Sequence, residues 1–263
     1  MKPELLVIGA GSLAHALAQA QTYRLIGIRR RRQDADFPLI IGDAADDATW
    51  ENPQLPAQPH AVLITATPGL RGGGRGNRLL EVIAQLHRHY SHCPWIYTGS
   101  TAVYGSSPHI LDDHAPVQAE GRAPQLRAIE EAVLAHAPAL VLRIGAIVGT
   151  GPSRRDLSRS PLVIPGDPQR PFPYVHQYDL LQVLHHTVQD PSAQGVMNVV
   201  APHACSYAEY YQQLQQQQFP QHPLLEVVGD PQRPQPWRRI IAPRLWAYMP
   251  DHPWLLPWQQ AES

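Results

Sequence analysis

Unbroken apolar runs alternate with amphipathic stretches through roughly the first 150 residues. Glu4–Ala10 (ELLVIGA), Tyr23–Arg29 (YRLIGIR), Phe37–Asp43 (FPLIIGD), His60–Pro68 (HAVLITATP), Trp95–Ser100 (WIYTGS) and Ala139–Gly145 (ALVLRIG) read as strands. Ser12–Ala20, Asn77–Tyr90 and Gln125–His136 read as helices, with Asn77 as an N-cap. A strand that is apolar on both faces must be covered on both faces. Such strands separated by helices predict an α/β fold, a doubly wound, parallel, Rossmann-type sheet.

Beyond about Gly149 the rhythm loosens. GPSRRDLSRSPLVIPGDPQRPFPYV is rich in Pro, Arg and Ser and predicts long loops with short strands. A helix is expected at Tyr178–Val188, a strand at GVMNVVA, and a helix in SYAEYYQQLQQQQF whose glutamines form a solvated face. The tryptophan- and proline-rich tail should pack back on this part. The expected organisation is a dinucleotide-binding domain over 1–150 and a small α+β, substrate-side lobe over 151–263, interleaved with the sheet rather than independent.

The first strand ends in VIGAGSLA, which sets Gly9, Gly11 and Ala14 in a G-x-G-x-x-A spacing. Glycines there permit a tight turn and close approach to a pyrophosphate, and the N–H groups of the following helix, opened by Ser12 and Leu13, face the phosphates. A strand before and a helix after are the context this motif needs. An acid at the end of the second strand would suit NAD(H). This chain has Arg29, Arg30, Arg31 and Arg32 instead. A guanidinium suits a 2′-phosphate, so NADP(H) is expected over NAD(H); a solvated basic turn is the alternative. Asp43 is a candidate acceptor for the adenine amino group. Thr65, Ala66 and Thr67 end the fourth strand, where backbone should pass close to the cofactor.

Composition narrows the partners. Of 263 residues 43% are hydrophobic and 16% charged, and the net charge is -1. No long-range field would recruit nucleic acid or an acidic membrane. No apolar run approaches the roughly 18–20 residues of a membrane span, and MKPELLVIGAG does not read as a signal peptide. Cys93 and Cys205 read as free buried thiols, which points to the cytoplasm. The 14 histidines show no metal-ligand spacing, so no metal is expected.

Four later segments carry a resemblance: STAVYG (Ser100–Gly105), LRIGAIVGTGP (Leu142–Pro152), YVHQYDLLQVL (Tyr174–Leu184) and GVMNVVA (Gly195–Ala201). With GAGSLA, IIGDAAD and TATP before them, in this order, the chain resembles the extended or atypical short-chain dehydrogenase/reductase family of NAD(P)-dependent sugar epimerases and dehydratases. The resemblance implies a serine that orients the substrate, matched by Ser100. It also implies a Tyr-x-x-x-Lys pair, whose lysine lowers the tyrosine pKa. The matching region, AEGRAPQLRAIEE, has neither residue. With Glu130 aligned, the tyrosine place holds Arg122 and the lysine place Leu126; with Glu131 aligned, they hold Ala123 and Arg127. Thr101 and Ala102 stand where the 4,6-dehydratases carry Asp-Glu, which argues against that reaction.

Tyr104 is a candidate replacement acid, with core packing as its other reading. Arg122, Tyr174 and His176 are substrate-side candidates; Arg122 would clamp an anionic group. Asp112, Asp113 and His114 are acid–base candidates or turn caps. RGGGRGN (Arg71–Asn77) reads as a loop near the cofactor mouth, a candidate lid. The expected function is an NADP(H)-binding atypical short-chain oxidoreductase acting on a small polar carbonyl or hydroxyl substrate. A non-catalytic NADP(H)-sensing protein and a nucleotide-sugar epimerase are the alternatives. The protein is expected as a monomer, or as a homodimer through the helices of Asn77–Tyr90 and Gln125–His136.

Overall fold

The computed structural model describes residues 2–68, 78–136, 138–150 and 155–259. In chain order the elements are β1 (Glu4–Ile8), α1 (Ser12–Gln19), β2 (Arg24–Arg29), β3 (Leu39–Ile41), α2 (Asp47–Trp50), β4 (Ala61–Ile64), α3 (Arg78–His89) and β5 (Trp95–Ser100). Then come β6 (Ile110–Leu111), α4 (Ala123–Leu134), β7 (Ala139–Ile144), β8 (Ala146–Val148), β9 (Leu162–Pro165), β10 (Tyr174–His176) and α5 (Gln177–Gln189). The last are β11 (Gly195–Val199), α6 (Tyr207–Gln218), β12 (Val227–Asp230), β13 (Arg239–Ile240) and α7 (Pro243–Tyr248).

A seven-stranded parallel sheet runs β11-β7-β5-β4-β1-β2-β3. Leu5 to Ile8 and Ala61 to Ile64 are almost wholly buried, which is why their sequences show no alternation. The register aligns strand ends: Ile8 pairs with Ile28 on one side and with Ile64 on the other. The chain winds outward through β2 and β3, then returns to β4 on the other side of β1. That reversal opens a crevice at the carboxyl ends of β1 and β4, where such sheets bind ligands. Ile83 and Leu86 of α3 and Ile129 and Val133 of α4 pack in the same core as Leu6, Val62 and Trp95. Within Phe37–Asp43 only Leu39–Ile41 is strand. It pairs with β2 alone, at the sheet edge.

The chain forms two compact units from interleaved segments. Unit 1 takes 1–103, 119–143 and 181–196; unit 2 takes 104–118, 144–180 and 197–263. Unit 2 contains three two-stranded parallel pairs, β8 with β10, β9 with β12 and β6 with β13. A small cluster of Leu157, Leu162, Ile164 and Leu225 packs with aromatic residues of α6, which starts in a capping box between Ser206 and Glu209. Two buried polar groups tie unit 2 together. Tyr104 and Asn198 are fully buried, and the Tyr104 hydroxyl lies 2.7 Å from both Asn198 Oδ1 and Asp112 O. The Asn198 N–H donates to Asp113, and Asn198 Nδ2 donates to Ile241 O at 2.9 Å. Asp179 is also fully buried: His252 Nε2 lies 2.9 Å from its Oδ1, and Leu255 N–H donates to its Oδ2 at 3.0 Å. Burial raises the Asp179 carboxyl above its ordinary range, against the opposing pull of His252. Among the described residues no helix is long and apolar enough to cross a membrane, and no three His, Cys, Asp or Glu groups gather as a metal site.

Candidate functional site

The turn after β1 is fixed by close approach. Gly9 has φ +86°, and a Cβ there would lie 2.5 Å from Ala66 Cα and 2.6 Å from Ala66 N. Backbone cannot yield as a flexible side chain would, so only glycine fits. Thr65 clips the two loops together: its N–H donates to Ile8 O at 2.9 Å and its hydroxyl to Gly9 O at 3.0 Å. At Gly11 the nearest atom to an added Cβ is Gly9 O at 3.6 Å, so this side is open. α1 starts at Ser12 with no side-chain cap and no acid in its first turn. Ser12 is exposed, Leu13 half-buried and Ala14 buried against the sheet. The free N–H groups of a first helical turn, beside an open glycine, suit an anion.

The four arginines after β2 are not equivalent. Arg30, Arg31 and Arg32 are exposed. Arg29 ends β2, and its Nη1 is buried with no hydrogen-bond partner among the described residues. Asp43 is engaged: its Oδ1 accepts from Ala45 N–H at 3.1 Å, and its Oδ2 lies 3.3 Å from Arg78 Nε. Ala66 is half-buried against Gly9 and Thr67 is exposed. The glycine cradle and the open helix start suit the phosphates of a dinucleotide, and at the next strand end one buried Arg29 nitrogen is unpaired among the described residues.

Ser100 ends β5, half-buried, and its Oγ accepts from Ala102 N–H at 3.2 Å. A single 3-10 turn follows over Thr101–Tyr104. On α4 the inward positions are Ala123, Leu126, Ile129, Glu130 and Val133. Glu130 meets Arg143 of β7 in a forked pair, with Nη2 to Oε2 at 2.8 Å and Nε to Oε1 at 3.1 Å. Burial pushes the Glu130 carboxyl up, and the Arg143 hydrogen bond opposes it. Glu131 instead faces solvent and pairs with exposed Arg127 at 2.6 Å. The inward carboxylate is therefore Glu130. Arg122, the N-cap of α4, is exposed and Leu126 is buried, the two residues that stand in the tyrosine and lysine places when Glu130 is the aligned glutamate.

The remaining candidates lie in unit 2. Tyr104 is held as described above. Tyr174 is buried, its hydroxyl 3.4 Å from Leu255 O, and burial raises its pKa. His176 is buried and accepts at Nδ1 from Tyr178 N–H at 3.2 Å, which leaves the proton on Nε2. Nε2 makes no hydrogen bond among the described residues and lies over Gly149, where a Cβ would come within 2.0 Å of it. Burial lowers the His176 pKa, opposed by Asp179. Asp112 caps the turn to His114 N–H at 3.0 Å, and Asp113 belongs to the Asn198 network. The RGGGRGN segment, Asn77 and residues 151–154 of the G-x-G-P loop lie outside the described residues. Sequence reasoning put Arg29 and Arg30 forward together as cofactor-binding residues, without separating the two, and missed Arg143 as a partner. An arginine in an otherwise apolar strand, opposite an inward glutamate, was the available signal for the latter.

No family model matches the sequence, and no curated protein matches it. Solved structures do match. The Bordetella bronchiseptica enzyme WbmH, in complex with NAD+, superposes with a TM-score of 0.75 at 16% identity, over 97% of this chain and 95% of that one. The dTDP-glucose 4,6-dehydratase of Bacillus anthracis, in complex with NAD, gives 0.74 at 16% identity, over 98% and 92%. The UDP-glucuronic acid 4-epimerase of Bacillus cereus, in complex with NAD, gives 0.73 at 15% identity, over 96% and 92%. Identity this low speaks to architecture alone. The chain has the fold of the extended short-chain dehydrogenases/reductases, the fold of NAD-dependent epimerases and dehydratases.

Proposed function

We propose that the protein binds NADP(H) at the carboxyl ends of β1, β2 and β4 and works as an oxidoreductase on a small polar carbonyl or hydroxyl substrate. The observation that carries the cofactor preference is the buried, unpartnered Nη1 of Arg29. A guanidinium left without a partner costs stability unless a ligand completes it, and a 2′-phosphate at the end of the second strand would do so. The structural neighbours named above are complexes with NAD, so the preference for the phosphorylated form rests on Arg29 alone. Gly9, Gly11, Ser12 and Leu13 would hold the pyrophosphate, with Thr65, Ala66 and Thr67 beside it. Calorimetric titration tests this: NADPH should bind more tightly than NADH, and Arg29→Ala should remove the difference. Equal affinity in the parent chain would refute it.

A bound nicotinamide supplies hydride transfer. Ser100 would orient the reacting oxygen through its hydroxyl. Arg122 and Leu126 cannot exchange a proton near neutral pH, so the proton would pass to or from water or a histidine. Tyr104 serves in this reading as a post that fixes the loop after Ser100, because its hydroxyl is already committed to Asp112 and Asn198. Tyr104→Phe should then cost stability and keep turnover; loss of turnover in a folded variant would restore it as the acid.

The same absence of tyrosine and lysine favours a second reading, a protein that binds NADP(H) without turnover and responds to its redox state. Steady consumption of NADPH with any carbonyl substrate, abolished by Ser100→Ala, would dismiss it.

A further inference from the structure

Unit 1 holds a cavity of about 1060 Å³ that the cofactor reading does not use. Glu4 and Arg24, the first residues of β1 and β2, stand in its lining. The glycine turn follows Ile8, at the other end of β1. The cavity therefore lies at the amino ends of the strands, on the rim opposite the crevice of the parallel sheet. Small-molecule sites run from roughly 300 to 1,000 Å³, so it has room for a ligand.

The lining combines an apolar wall with charges of both signs. Tyr23, Leu25 and Phe37, all buried, supply the wall. Phe37 reads as strand in the sequence, but β3 starts only at Leu39, which leaves the ring free of the ladder. It is seated against Gly27, where a Cβ would come within 2.9 Å of its Cε2. Glu4 and Arg24 form an ion pair and answer each other. That leaves exposed Lys2 and Asp36 on the lining, one cation and one anion, and neither has an ion pair among the described residues. Ala18 and Gln19 bring the end of α1 to the same wall. The last turn of α1 has no basic residue, so its carbonyl end adds partial negative charge there. Gln21, also in the lining, has φ +53° and is the one non-glycine residue with positive φ among the described residues. Glycine or asparagine is the ordinary choice just past a helix end. A glutamine held there keeps an amide on the wall against a backbone cost, and such strain gathers at binding sites.

We propose that this cavity binds a zwitterion with an apolar side chain, the class of free amino acids and short peptides. Its carboxylate would face Lys2, its ammonium Asp36 and the end of α1, and its side chain Tyr23, Leu25 and Phe37. The test is calorimetric titration of the full chain with L-phenylalanine and with the dipeptide leucyl-phenylalanine, each beside its C-terminal amide and its N-acetyl form. At least one zwitterion should bind, and blocking either of its charges should weaken it about tenfold or more. Asp36→Asn should weaken the zwitterion and leave the acetylated form unmoved, because that form has no ammonium to lose. Lys2→Gln should weaken the zwitterion and leave the amide unmoved. Both substitutions are on exposed side chains, so the fold and the NADPH titration should not change. Failure of both zwitterions to bind, blocked forms that bind as well as their parents, or variants that bind as the parent chain does would each overturn the proposal.

Discussion

Arg29 and Arg143 sit near the carboxyl ends of two strands of one sheet, and both are drawn out of water. Arg143 meets a carboxylate in forked geometry; Arg29 has a buried nitrogen with none. The difference separates structure from site. Where charge only has to be housed, the fold supplies its own counter-charge. At Arg29 the described residues supply none, and the partner proposed there is a ligand.

The contrast can be broken most severely at the paired end. Glu130→Gln leaves Arg143 buried and uncompensated and should cost about 3–5 kcal/mol in urea unfolding. Replacing both, Glu130→Leu with Arg143→Met, should recover most of that loss, since two apolar residues of similar volume make no such demand. At the open end the turn itself is the weak point. Gly9→Ala sets a Cβ against the Ala66 backbone at positive φ and should cost about 1–3 kcal/mol. It should weaken dinucleotide binding in the same titration. Arg29→Ala should behave in the opposite way to Glu130→Gln: unchanged or slightly higher Tm, with NADPH affinity down about tenfold, about 1.4 kcal/mol, and NADH affinity unmoved. An Arg29→Ala chain as damaged as Glu130→Gln would erase the distinction between the two ends.

The smallest effect is on acid stability. Burial holds His176 and His136 below the ordinary 6.5, so the unfolded chain takes up protons there before the folded one does. Their contribution is full above that ordinary value and is lost as pH falls through the folded values. His176→Gln should flatten the acid limb of the Tm-against-pH curve slightly; an unaltered limb would place the acid sensitivity elsewhere.

How much of this was legible in the sequence depended on length and burial. β1, β2, β4, β5 and β7 announced themselves because each is covered on both faces and so is continuously apolar. Phe37–Asp43 looked equally apolar but forms only three residues of strand, since an edge position gives its ends no second ladder to join. The paired strands of unit 2 are two to four residues long and their partners lie far along the chain. No periodicity can show in so few residues. The glycine turn could be read because its geometry is local: spacing alone puts Gly9 and Gly11 where a backbone must turn. Arg29 could be put forward with Arg30 but not separated from it, because only tertiary packing distinguishes a buried guanidinium nitrogen from a solvated one.

Asp179 gives the late part of the chain a hold over the early part of unit 2. Among the described residues, the groups that hydrogen-bond its carboxylate come from His252 and Leu255. During synthesis the ribosome makes α5 long before it makes those residues. Until they emerge, Asp179 must stay wet, and the helix start cannot seal. A product cut short after Met249 would thus keep an exposed seam that proteases and chaperones can read. Synthesis through Leu255 becomes a condition for burying that one oxygen pair, and limited proteolysis of chains ending at Met249 and at Gln259 would show the difference as cleavage near α5 in the first alone.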